Sequence, residues 1–158
     1  MKALNNYQVI QNPILGACCI ARFVWAYNKK KGVPPTLPLL VLVLPVVFHE
    51  KTVAILNRRA LNGGLLNAKN EFRDLGVGVQ ERMEEMLPQS MRAIRSGIQL
   101  GMFGYLKATA SVHPIGKQVI IPKIPRSIQK MFWTADRLGG WAAESPIEMM
   151  CAHLNISF

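Results

Sequence analysis

The sequence predicts a mainly α fold, a compact helical domain spanning residues 1–158 with one β-hairpin. Three observations lead there. Apolar residues recur at helical spacing through most of the chain, and the segments are punctuated by helix caps. A two-residue period is confined to residues 103–121. A chain of 158 residues buries about 68–70% of its unfolded surface, so it needs neither metal nor disulfide to hold a core. The expected organisation is a helical core over 12–102, a hairpin over 103–123 and C-terminal helices over 126–154.

The first helix opens at Asn12-Pro13. Asn accepts from orphan N–H groups, and Pro at the first helical position has no N–H to lose. Ile14, Leu15, Cys18, Ala21, Arg22, Val24 and Trp25 follow helical spacing to Tyr27. Lys29-Lys30-Lys31-Gly32 then closes the helix, with cations at its negative end and a C-terminal glycine. After the stiff Val33-Pro34-Pro35, Thr36 is expected to cap a helix that begins Leu37-Pro38.

The run from Leu37 to Phe48 holds twelve uncharged residues. A bilayer-spanning helix needs about 17–25 apolar residues, so the run is too short to cross a membrane. Pro38 and Pro45 would each remove a ladder donor from a strand. The prediction is a core helix, bent or interrupted at Pro45, that continues through Leu56. Being apolar on all sides, it must be surrounded by other elements.

Asn62-Gly63-Gly64 is read as a break. One or two helices are expected over Leu65–Leu87, with Glu81-Arg82-Met83-Glu84-Glu85 as an exposed mixed-charge face. Residues 89–102 suit a helix with Met91, Ile94, Ile98 and Met102 inward and Arg92, Arg95 and Gln99 outward. Phe103–Val112 suits a strand, His113–Lys117 a turn, and Gln118–Ile121 a second strand. A hairpin directly after a basic helix has the order of a recognition helix and its wing, so the expected domain is winged-helix-like. A helix from Arg126-Ser127 should stop near Gly139-Gly140. Ser145-Pro146-Ile147-Glu148 reads as a capping box for a short terminal helix.

The formal charge is +10 and unevenly spread. Residues 89–130 carry seven Lys/Arg and no carboxylate. Such a block attracts nucleic acid or an acidic protein face, or else forms a solvated basic surface. The candidate contacts are Arg92, Arg95, Lys107, Lys117, Lys123, Arg126 and Lys130, with Lys29, Lys30 and Lys31 as a secondary set. Lys107, Lys117 and Lys123 are expected to project from the hairpin region.

No catalytic constellation is visible. Leu61-Asn62-Gly63-Gly64-Leu65 lacks the Lys and Ser/Thr of a phosphate loop. His49-Glu50 would need a second His at position 53, which is Val53. His49 reads as a partly buried helix residue, and Glu84-Glu85 point away from each other. Cys18, Cys19 and Cys151 have no metal-ligand or disulfide-framework spacing, and read as reduced thiols in a cytoplasmic protein. Asn5, Asn6, Gln8, Gln11 and Asn12 interrupt any signal-like core after Lys2. Trp25, Trp133 and Trp141 suit core or interface positions better than stacking platforms. The expectation is a non-enzyme with no cofactor and no metal.

Two stretches together resemble a known family. They are Asn12-Pro13 with Gly16-Ala17 and Arg22-Phe23, then Pro35-Thr36-Leu37-Pro38-Leu39-Leu40 through Leu44-Pro45 to His49. The ending Ala135-Asp136-Arg137-Leu138-Gly139-Gly140-Trp141 adds to them, although the family often has Arg where Gly140 stands. The pattern resembles the middle component of bacterial three-component ABC systems, including the small subunit of Lamassu-type defence complexes. That resemblance implies a non-catalytic accessory subunit of an anti-phage or anti-plasmid complex. It implies a bridge between an SMC- or Rad50-like ATPase and an effector, commonly a nuclease, which it restrains until foreign double-stranded DNA is sensed. The competing expectation is a stand-alone winged-helix transcriptional regulator.

Overall fold

The computed structural model describes residues 11–57 and 73–158. Residues 1–10, the Asn62-Gly63-Gly64 break and the start of the helix expected from Leu65 lie outside the described residues.

Helix α1 (Pro13–Lys31) begins as its sequence requires. Asn12 accepts from the N–H groups of Ile14 and Leu15 at 3.0 and 3.1 Å. At the other end Gly32 takes φ 79° and donates to the Asn28 carbonyl at 2.8 Å, with Lys29, Lys30 and Lys31 in the last turn. The helix is buried along most of its length, from Leu15 to Val24 with the exception of Arg22.

The apolar run does form the core, in three pieces: α2 (Leu37–Val41), α3 (Val43–Val47) and α4 (Glu50–Asn57). Leu40, Leu42, Val43 and Val47 are fully buried. Pro45 lies inside α3, and the interruption falls one turn earlier, at Leu42, because proline offers no N–H to the carbonyl four residues back. The sharp bend comes later, at Phe48-His49, where α2–α3 and α4 turn by 91°. No single helix among the described residues is long and apolar enough to cross a membrane.

His49 sits in that bend rather than within a helix. Its Nδ1 accepts from the Thr52 N–H at 3.3 Å and lies 2.6 Å from the Thr52 hydroxyl, so the ring acts as the N-cap of α4. Burial lowers its pKa below 6.5, and the neighbouring Arg82 and Lys51 charges act in the same sense.

Thr36 makes no side-chain cap. It forms an antiparallel bridge with Ser111, flanked by Leu37 N–H to the Ala110 carbonyl (2.8 Å) and Val112 N–H to the Pro35 carbonyl (2.9 Å). The hairpin that it joins is β1 (Phe103–Leu106) and β2 (Ser111–Pro114), in register Phe103↔Pro114 to Leu106↔Ser111. The expected turn at His113–Lys117 is therefore displaced. The chain reverses at Lys107-Ala108-Thr109-Ala110, where Ala110 adopts φ 47°, and Gln118–Ile121 forms no strand. KATA contains none of the usual turn residues; its conformation is held by the Pro35–Leu37 segment that bonds to it.

A one-turn 3₁₀ helix (Arg73–Gly76) and α5 (Val79–Glu85) precede α6 (Leu87–Gln99). Arg82 is half-buried rather than part of an exposed face, and its Nε donates to the Pro45 carbonyl at 3.2 Å. It thus satisfies an orphan carbonyl at the C-terminal end of α3. On α6 the inward face is Ser90, Ala93, Ile94 and Gly97, while Met91 and Ile98 are 45% and 39% exposed. Small residues take the core side because α1 and β1 come too close for larger ones. A Cβ on Gly97 would stand 2.2 Å from the Phe103 ring, and one on Gly16 would stand 2.9 Å from Ala93 Cβ.

Helix α7 (Arg126–Glu144) runs past Gly139-Gly140 and ends only at Ser145. It lies alongside α1 in the same direction, with Arg22 opposite Asp136, Phe23 opposite Gly139 and Lys30 opposite Glu144. The capping box does not form: Ser145 is extended, Pro146 occupies the cap position, and α8 spans Ile147–Leu154. Its proline has no N–H for the reciprocal bond to a glutamate, and Asn155, at φ 53°, ends the helix.

Gly139 and Gly140 are adjacent in sequence and opposite in consequence. A Cβ on Gly139 would lie 2.5 Å from the Phe23 carbonyl oxygen, whereas one on Gly140 meets nothing within 4 Å. Gly139→Ala is expected to lower stability by about 1–3 kcal/mol through overpacking. Gly140→Ala is expected to raise it by about 0.5–1 kcal/mol by removing a mid-helix glycine. Urea denaturation of both variants checks the pair, and equal effects refute the assigned contact.

The His49 cap predicts a pH dependence. Because the folded protein lowers this pKa, the unfolded chain binds the proton more readily. The contribution is present above pH 6.5 and lost as pH falls through the folded-state value. His49→Asn keeps a neutral cap and should flatten this part of the stability–pH curve between pH 7.5 and 5, read from urea midpoints.

Candidate interaction surface

The ten candidate cations do not converge. Lys30, at the far end of α1, pairs with Glu144 at 2.6 Å, and Lys29 stands 4.9 Å over the Trp25 ring. Arg126 begins α7, and Glu144 ends it. Eighteen residues of helix place these ends about 27 Å apart. The lysine triplet and the Arg126–Lys130 group are therefore separate places. Arg92 and Arg95 project from α6, Arg92 beside Asn12-Pro13 and Arg95 beside Tyr105. Only Lys107 is on the hairpin, in its turn; Lys117 and Lys123 belong to the irregular segment after it.

That segment is held by a group which charge counting does not find. Arg22 donates through Nε to Asp136 Oδ1 at 3.0 Å and through Nη2 to Asp136 Oδ2, a bidentate pair between α1 and α7. Its third arm, Nη1, donates to the Val119 carbonyl at 2.8 Å, and its guanidinium lies 5.4 Å from the Phe132 ring centre. Gln118 Nε2 completes the set with a 3.3 Å bond to Asp136 Oδ1. Burial pushes the Asp136 carboxyl above its ordinary value, opposed by the hydrogen bond and charge of Arg22 and by the Gln118 bond. The Arg22 and Asp136 side chains are 14% and 26% exposed, so leaving either charge unpaired would be costly.

The consequence is a fixed platform. Gln118 and Val119 are clamped while Ile120 (79% exposed), Ile121, Lys123 and Trp133 (46% exposed) face out around an open cleft of about 310 Å³. Lys123 is left-handed at φ 57°, which turns the chain back toward α7. Trp141 is core, and Trp25 lies half-buried under Lys29. The sequence held only a partial signal for the clamp. Arg22 lies between the buried Ala21 and Phe23, and Asp136 follows the buried Ala135, so burial of each charge is hinted at but its partner is not.

Two further side chains fasten α4 to α7. Arg137 Nη1 donates to the Leu56 carbonyl, and Asn57 Nδ2 bonds the Val53 carbonyl (2.8 Å) and the Thr134 hydroxyl (2.7 Å). The stretch Ala135–Gly139 thus supplies in succession an ion pair, a helix-end donor and a close approach. Cys18 and Cys19 are buried and their thiols are pushed up in pKa by that burial, so they are poor nucleophiles. Among the described residues no group of three or more His, Cys, Asp or Glu could hold a metal ion.

The match to known families covers nearly the whole chain. A family model described as ABC-three component (ABC-3C) system Middle Component 3 matches residues 2–158. The chain belongs to this family. Middle components are accessory subunits that act with the other components of a multi-component ABC-ATPase system. No curated protein and no solved structure matches the chain. In this middle component a Cβ on Gly140 would meet nothing within 4 Å.

The clamp can be measured by a double-mutant cycle. Arg22→Met leaves the partly buried Asp136 carboxylate without its partner and is expected to cost about 1–3 kcal/mol. Asp136→Leu in the same background should recover a large part of that loss, with a coupling of about 1–3 kcal/mol. Additive effects in urea unfolding would show that the two side chains act independently.

Proposed function

We propose that this middle component bridges an SMC- or Rad50-like ATPase and an effector subunit of nuclease type in a cytoplasmic Lamassu-type defence complex. It restrains the effector until the complex engages phage or plasmid DNA. The observation that carries the reading is the arrangement of the cations on a rigid frame. Basic groups occupy both ends of the α1–α7 pair, one face of α6 and the turn of the hairpin. A spread-out, multi-point surface suits a subunit held between large partners better than a single binding groove does. Phosphate contact through such groups is sequence-independent and salt-dependent.

Co-expression of the whole system tests the bridge. The ATPase and effector should co-purify only when this chain is present, and omitting it should give DNA-independent effector activity. If the isolated chain binds a short duplex tightly and with sequence preference, it is instead a winged-helix regulator. For DNA contact, Arg92→Glu, Arg95→Glu and Lys117→Glu together should weaken DNA binding by the complex. The slope of log affinity against log salt should become shallower by about one for each phosphate that is no longer neutralised. An unchanged slope removes these three residues from the DNA face.

A further inference from the structure

The loop that Arg22 clamps turns apolar side chains away from the core. Ile120 is 79% exposed, Ile121 41%, and Trp133, beside them on α7, 46%. With Lys123 and Gln129 they ring the open cleft of about 310 Å³, which the buried Phe132 also lines. The loop is held in place, because Val119 is tied to Arg22 and Gln118 to Asp136. A tryptophan and two isoleucines on a fixed frame are anchors of the kind that dominate protein interfaces. A concave site is filled by an inserted side chain rather than by a flat bilayer surface, and the fixed frame lowers the entropy lost on binding.

Charge decides what flanks the inserted side chain. Lys123 lines the cleft and no carboxylate does. Arg126 and Lys130 precede Trp133 by seven and three residues, on the same side of α7. The surrounding elements offer nothing to neutralise these cations. Helix α1 has no carboxylate, and neither does the loop from Ile115 to Pro125. On α7, Asp136 is taken up by Arg22 and Gln118, and Glu144 pairs with Lys30 at the opposite end. Helix α4 meets α7 through Asn57, and its one carboxylate, Glu50, lies about 10 Å away at the other end of α4.

An apolar centre with a rim of one sign selects an occupant of the opposite sign. A nucleic acid would satisfy the cations but leave Ile120 and Ile121 without apolar contact. A second copy carries the same formal charge of +10, which opposes association. We infer that the Ile120–Ile121–Trp133 cleft docks a segment of a partner protein that inserts an apolar side chain flanked by acidic residues. The inference goes beyond the bridging reading and stands without it, since the cleft and its charge are properties of this chain.

The test uses the isolated full chain and three fluorescein-labelled twelve-residue peptides. One has a central tryptophan flanked by glutamates, one has lysines for the glutamates, and one has serine for the tryptophan. Fluorescence anisotropy should show the first binding at least tenfold more tightly than either of the others. Ile120→Ser with Trp133→Gln should weaken it at least tenfold. Ile120→Ser alone, at the most exposed position, should give a smaller loss with an unchanged thermal melt. Lys123→Asn with Arg126→Gln should also weaken it at least tenfold, and Asn suits the left-handed φ of 57° at position 123. Arg92→Gln with Arg95→Gln removes the same charge from α6 and should change the affinity less than twofold. An equal loss from the α6 pair, or binding that survives either cleft pair, overturns the inference. So does a single-stranded oligonucleotide of equal charge that binds the cleft more tightly than the peptide does. Sedimentation of the free chain as a dimer that Ile120→Ser dissociates overturns it too, because a second copy would then fill the cleft. The assay contains no ATPase or effector, so failure of the bridging reading is distinguishable from failure here.

Discussion

The side-by-side packing of α1 and α7, with Arg22 and Asp136 paired at its centre, is the constraint on which most other features depend. Two helices can lie this close only where side chains are small, and Gly139 supplies that against the Phe23 carbonyl. The ion pair sets the register, because a bidentate guanidinium–carboxylate contact tolerates little sliding. With that register in place, Lys30 meets Glu144. On another face of α7, Arg137 reaches the end of α4. Arg22 also reaches Val119, so a loop with no regular hydrogen bonding acquires a defined path.

A second constraint is the broken apolar run. Proline in α3 and the bend at His49 leave carbonyl and N–H groups without helical partners, and each end takes a side-chain partner instead. Arg82 serves the end of α3, His49 starts α4, and Arg137 with Asn57 closes it. Among the described residues, polar side chains therefore stabilise helix ends more than they form surface ion pairs. The Lys51–Asp74 pair, at 3.8 Å and largely exposed, contributes little by comparison.

These constraints leave the exterior free for interaction. Cations stand at both ends of the frame, aliphatic and aromatic groups stand beside the clamped loop, and an apolar trough follows α6. For an accessory subunit, a rigid interior lowers the entropy lost when several partners dock at once.

Local chemistry was enough to read α1 with both of its caps, the core role of residues 37–56 and the identity of α6 as a helix. These depend on neighbours within one or two turns: Asn12 before Pro13, Gly32 after three lysines, and an apolar run too short for a bilayer. The choice of α6 face required the close approach of α1 and Phe103, because Ser90, Ala93 and Gly97 become a core stripe only when something large fills the space. The hairpin turn at KATA required Pro35–Leu37, whose backbone bonds hold Ala110 in a left-handed conformation. The frame's central pair joins residues 114 apart in sequence. No periodicity couples positions that far apart, so only the packed structure could bring Arg22 and Asp136 together.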